Sequence, residues 1–206
     1  MTNINAASPM RKDGKVYFFV PMRRSYAELA AGTNKSRRKQ SIMYEKRIHQ
    51  AVENFMAGYN CAQSVVAAFA DLYGLDRKQA LLVSASFGAG MGRLRETCGT
   101  LSGIVMLAGL ETGTAIGEDR AGKSANYAVV QDLVARFRAE HGSSICRELL
   151  GLRKDAPTPP MADERTAEYY KKRPCVYMVE SAARLYARFL TERAEAGLPL
   201  RAKMEG

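Results

Sequence analysis

At 206 residues, 47% of them hydrophobic, the chain is long enough to bury one core and reads as a single domain with tails. Its formal net charge of +10 would argue for nucleic acid or an anionic membrane only if the charge sat on the domain. Residues 1–42 carry nine Lys or Arg against two acids, a balance of +7, which leaves +3 for residues 43–206 and makes the domain only mildly basic.

Residues 1–42 have loop-like composition, rich in Asn, Ser, Gly and Pro with the cluster Lys35-Ser-Arg-Arg-Lys39, and are expected to form a basic extension without a fixed fold, upstream of the domain. They lack an aromatic-basic recognition pattern, so nucleic acid is not expected as a partner. The apolar island Val16 to Met22 is too short to span a membrane, and no basic, long apolar and cleavage segments follow in order. The cytoplasm is the expected compartment, and no transmembrane segment is read.

Periodic sequence begins near Met43, and Met43 to Met56 carries Ile48, Val52, Phe55 and Met56 at helical spacing. Asn60 and Gln63 form a capping-box pattern that puts Cys61 at the first helical position, with Gly74 as the stop. Asp76 and Gln79 repeat that pattern before a helix over Ala80 to Phe87. Cys98, after Thr97, stands at or beside the start of a buried helix from Gly99 to Leu110 that ends at Gly113. Ser124 is expected to cap Ala125 to His141, with Tyr127, Val130, Leu133, Val134 and Phe137 on one face and Gly142 as the stop. Ser144 reads as the cap of a short helix containing Cys146, and Pro174 opens a helix from Cys175 to Leu190. Residues 152–173, with Pro157, Pro159 and Pro160, read as a connection with one short helix, and residues 191–206 as a fraying tail. No convincing strand pattern appears. The expected architecture is all-α: a compact multi-helix domain over residues 43–190, flanked by the extension 1–42 and the tail 191–206.

Several chemistries fail on the residues. The stretch Phe87-Gly-Ala-Gly-Met-Gly-Arg93 follows a helix rather than a strand and lacks the Walker lysine, so its glycines are read as a tight turn against the Cys98 helix. A tyrosine-phosphatase loop needs arginine six residues after the cysteine, but those positions hold Ala67, Ile104, Leu152 and Ser181. The only histidines, His49 and His141, sit in no protease motif and are expected to face solvent.

What remains is Cys61, Cys98, Cys146 and Cys175. All four fall at predicted helix starts, where orphan N–H groups and the dipole favour a thiolate, and Arg93, Arg95, Arg147 and the run Lys171 to Arg173 add positive neighbours. The spacings contain no C-x-x-C pair, so the fold must assemble any site. Two chemistries fit. In one, the four cysteines are catalytic and two of them form a reversible disulfide, with Cys98 as attacker, as in a thiol-disulfide oxidoreductase. In the other, the same four residues are metal ligands, holding an iron-sulfur cluster or zinc. A non-catalytic helical interaction module, whose cysteines only pack, is the third reading.

The series Asn-Cys61-Ala-Gln-Ser, Phe-Gly-Ala-Gly-Met-Gly92, Thr-Cys98-Gly-Thr-Leu-Ser-Gly103, Cys146-Arg-Glu-Leu-Leu and Cys175 resembles the redox-active family named for its C, GCAxxG, C, C pattern. The resemblance covers about Met43 to Leu190. Thr100 stands where the family has Ala, a small-for-small change that leaves the cysteine and glycines intact. The resemblance implies redox work by the cysteines, and a redox partner protein and a homodimer are the expected associations.

Overall fold

The computed structural model describes residues 10–12, 15–17, 35–198, 200 and 201. The chain divides into two units, Met1–Glu45 and Lys46–Gly206. In the first, strands β1 (Met10–Lys12) and β2 (Lys15–Tyr17) pair antiparallel, with Met10 opposite Tyr17 and Arg11 opposite Val16. This three-residue pairing is regular structure that the composition of residues 1–42 did not announce. The rest of that expectation, up to residue 34, lies outside the described residues. Helix α1 (Lys35–Met56) begins at Lys35 rather than near Met43, because Lys, Arg and Gln are good helix formers even without an apolar stripe.

The second unit is all-α, as expected. Helix α2 (Cys61–Phe69) has Asn60 as N-cap, with both halves of the capping box to Gln63 present, and runs into a 3₁₀ turn, Ala70–Tyr73, closed by left-handed Gly74. Helix α3 (Arg77–Ser84) repeats the device with Asp76 and Gln79. Helix α4 (Gly99–Thr112) is apolar all round and forms the centre, with Leu101, Ile104 and Leu107 buried to 1% or less. Each such side chain stabilises the fold by about 1.5–3 kcal/mol. Helices α2, α5 (Arg120–His141) and α8 (Cys175–Glu195) pack against α4. Two short helices, α6 (Cys146–Leu149) and α7 (Ala167–Lys172), flank the proline-containing connection. Among the described residues no helix is long and apolar enough to cross a membrane.

Four local expectations change. Helix α5 starts at Arg120, capped by the Asp119 carboxylate, which accepts from the Gly122 N–H. Ser124 lies inside it and donates to the Arg120 carbonyl, so the acidic cap Asp119, five residues upstream, takes the role assigned to the serine. On that helix Leu133 and Phe137 are buried but Tyr127 is 62% exposed. The N-cap of α6 is Ile145 rather than Ser144, whose hydroxyl accepts from Arg138 instead. Finally, α8 continues past Leu190 to Glu195, and Arg201 ties back to the end of α4 through the carbonyl of Gly113.

Candidate functional site

Each of the four cysteines sits at a helix start. Cys61, Cys146 and Cys175 are the first residues of α2, α6 and α8, and Cys98 is the N-cap of α4. All four border one cavity of about 400 Å³, and none is in a disulfide. Cys98 and Cys146 are buried, Cys61 and Cys175 half-buried.

Three features bring them together. The chain before α4 pairs with the chain before α6: Thr97 bridges Ile145, the Cys98 N–H donates to the Ser144 carbonyl at 2.8 Å, and the Cys146 N–H donates to the Glu96 carbonyl at 2.6 Å. Close approach of α2 and α4 depends on Gly99, where a Cβ would lie 2.5 Å from the Cys61 sulfur. The third feature is the turn after α3. Ala89, Gly90, Met91, Gly92 and Arg93 all have positive φ, from 52° to 76°, and Arg95 follows at 65°. A left-handed run costs about 1–2 kcal/mol for each non-glycine residue, and glycine at 90 and 92 relieves it at alternate positions. This turn presents the Ala89 N–H to the Cys61 sulfur at 3.4 Å and brings Arg93 and Arg95 to the cavity wall.

The electrostatics run opposite to the sequence expectation. Burial, followed by the neighbouring Cys98, pushes the Cys61 thiol up to about 12, and the Ala89 N–H does not offset this. Burial and the other thiols push Cys175 up to about 11. Cys146 is raised in the same way, against the opposing hydrogen bond from Arg95. Desolvation and mutual repulsion among thiolates outweigh the helix starts and arginines, so these three groups rest as neutral thiols. Cys98 is the common neighbour, since its charge raises each of the other three.

The cationic lining also differs from the sequence neighbours. Arg93, Arg95 and Arg173 line the cavity, joined by Arg165, whose place in the proline-containing connection gave no signal in the sequence. Arg147 turns away to the carbonyls of Lys154 and Leu94, and Lys171 and Lys172 are exposed. Asp163 is the carboxylate of this wall. Desolvation works against its charge, but the hydrogen bond from Arg93 and the fields of Arg173, Arg93 and Arg95 hold it below the usual carboxylate range.

For a metal, the donor set of four thiols suits iron-sulfur or zinc chemistry. The thiols border the cavity rather than meeting at a point: among the described residues, no three His, Cys, Asp or Glu side chains form a group that could hold a metal ion. His49 is exposed as expected, but the His141 side chain is 1% exposed, its Nε2 2.7 Å from Ser181 Oγ. Burial lowers its pKa, so His141 is a buried, neutral ring at neutral pH and not the solvent-facing side chain expected.

The family model described as "Putative redox-active protein (C_GCAxxG_C_C)" matches residues 59–189, a span that contains all four cysteines and the cavity lining apart from Phe55 and Gly58. No curated protein and no solved structure matches the chain.

Proposed function

We propose that this chain, which belongs to the C_GCAxxG_C_C family, uses the thiols around its cavity for reversible two-electron thiol-disulfide chemistry. The observation that carries the reading is that four unpaired cysteines from four helix starts border one cavity.

The chemistry follows from that arrangement. Cys98, once deprotonated, attacks one sulfur of an incoming disulfide, and the other partner sulfur leaves as a thiolate. A second cysteine then attacks the Cys98 sulfur and releases the remaining partner thiolate. The protein forms one disulfide and gives up two electrons, which the partner gains as it becomes a dithiol. Cys98 suits the first role because it neighbours every other thiol. Strongly oxidising dithiols owe their potential to a stabilised thiolate in the reduced form. Here Cys61, Cys146 and Cys175 rest as neutral thiols, so that stabilisation is missing from the reduced form, as suits a protein that donates electrons. Unpaired thiols suit a reducing compartment such as the cytoplasm.

The deciding experiment purifies the protein without oxygen and measures thiols, iron, zinc and sulfide on one sample. Colourless protein whose thiol count falls reversibly by two on mild oxidation is the expected result. Stoichiometric iron with inorganic sulfide, or zinc released with loss of all four thiols as ligands, would replace this reading with the metal one.

A further inference from the structure

We propose that the thiol-bordered cavity is also an oxyanion-binding site, in which the guanidinium groups of Arg93, Arg95, Arg165 and Arg173 hold a multiply charged oxyanion group beside the sulfurs. The substrate class this names for the site rests on the redox reading above, although anion binding itself needs no electron transfer.

The charge count is the first support. Among the described residues, four arginines line the cavity against one carboxylate, Asp163. Buried cations are costly unless paired, so an excess of this kind favours an anion. Convergence is the second support. Arg93 Nη1 at 2.8 Å, Arg173 Nη2 at 3.0 Å and Arg95 Nη2 at 3.8 Å all approach the same oxygen, Asp163 Oδ2. Three guanidinium groups around one oxygen atom is the arrangement that a carboxylate or phosphate oxygen would meet. Asp163 supplies one negative charge there, and its side chain is 34% exposed.

The third support comes from Arg165. Its guanidinium lies 4.7 Å from the Phe55 ring centre and 4.5 Å from that of Tyr169, which fixes its plane, and Nη2 donates to the Tyr59 carbonyl at 3.3 Å. Its Nη1 is buried and has no hydrogen-bond partner among the described residues. A charged donor without a partner is costly, and Nη1, covered here by protein atoms, gains an acceptor if the Arg165 side chain shifts into the cavity it borders. The volume of about 400 Å³ admits a small organic molecule as well as a bare inorganic oxyanion. Asp163, carried on the connection between α6 and α7, is then an internal competitor that holds the arginines in place until the ligand displaces it.

The test titrates the full-length, fully reduced protein under argon with inorganic phosphate and, separately, with succinate, at constant ionic strength in chloride, following binding by calorimetry and the melting temperature. At least one probe should bind one to one and raise the melting temperature with the logarithm of its concentration. Phosphate alone would mark an inorganic or phosphoryl oxyanion, and succinate alone a carboxylate group. Asp163→Asn, which removes the competitor, should tighten binding several-fold. Arg173→Gln should weaken it about ten-fold with an unchanged circular dichroism spectrum. If neither probe acts beyond chloride on the wild type or on Asp163→Asn, the proposal is overturned. Reversible thiol loss is scored on the same preparations, so anion binding without a dithiol switch removes only the redox reading, and the converse removes only this one.

Discussion

The backbone N–H of Cys98 donates to the carbonyl of Ser144 at 2.8 Å, and this bond ties the start of the central helix to the strand-like segment that leads into Cys146. With the Thr97–Ile145 bridge it fixes two cysteines 48 residues apart on one wall of the cavity. The position of Cys98 beside the other three thiols leads to the first prediction.

Cys98→Ser should abolish the reversible loss of two thiols on mild oxidation, whereas the fold should persist, because the Cys98 backbone bonds remain and a serine hydroxyl can keep the contact with Thr100 Oγ1. Peptide mapping after alkylation would show this. Recovery of a reversible disulfide among Cys61, Cys146 and Cys175 in the variant would refute the central role of Cys98.

Alkylation of Cys61 and Cys175 should be slow near neutral pH. With thiols raised to about 12 and about 11, their reaction with iodoacetamide at pH 8 should be about a hundred-fold or more slower than that of free cysteine. Rates measured residue by residue with mass spectrometry decide the matter, and acceleration at either site would contradict the burial argument.

The same groups set the alkaline stability of the fold. In the unfolded chain each thiol ionises near about 8.5, whereas in the folded protein Cys61 and Cys175 keep their protons to about 12 and about 11. Above the unfolded value the unfolded chain holds fewer protons, so the stability that is complete below it is lost progressively as pH rises towards those folded values. The urea midpoint should fall between pH 8 and pH 10.5, and Cys61→Ser should flatten that fall.

Gly99→Ala places a methyl group 2.5 Å from the Cys61 sulfur and 2.8 Å from the Phe87 carbonyl oxygen. The two helices must separate to admit it, at a cost of about 1–3 kcal/mol. Denaturant unfolding would measure the loss; a change below about 0.5 kcal/mol would show that the contact is not tight.

Caps on α5 offer a direct comparison. Asp119→Ala should cost about 1 kcal/mol because its carboxylate satisfies the Gly122 N–H, while Ser124→Ala should be nearly neutral. Chemical denaturation of both variants tests the assignment, and the reverse order of losses would restore Ser124 as the cap.

The helices and the location of all four cysteines at their starts were legible in the sequence, because capping and periodicity are local. Asn60 with Gln63 and Asp76 with Gln79 act within one turn, and the apolar run after Cys98 fixes a buried helix wherever it packs. Where the local reading took Ser124 as the cap, the structure uses Asp119, because the helix begins a turn earlier than its apolar face.

What only the tertiary structure decided is everything that depends on residues far apart in the chain meeting in space. The sequence determined that four thiols would each open a helix; packing decided that they share a cavity and bury one another, and desolvation then raised thiols that dipole and arginine neighbours alone would have lowered. Packing likewise drew Arg165 and Asp163 from a proline-containing connection to that wall while leaving Arg147 outside it. Helix starts are settled by hydrogen bonds within a few residues, whereas the charge state of a sulfur is settled by whatever the whole fold puts around it.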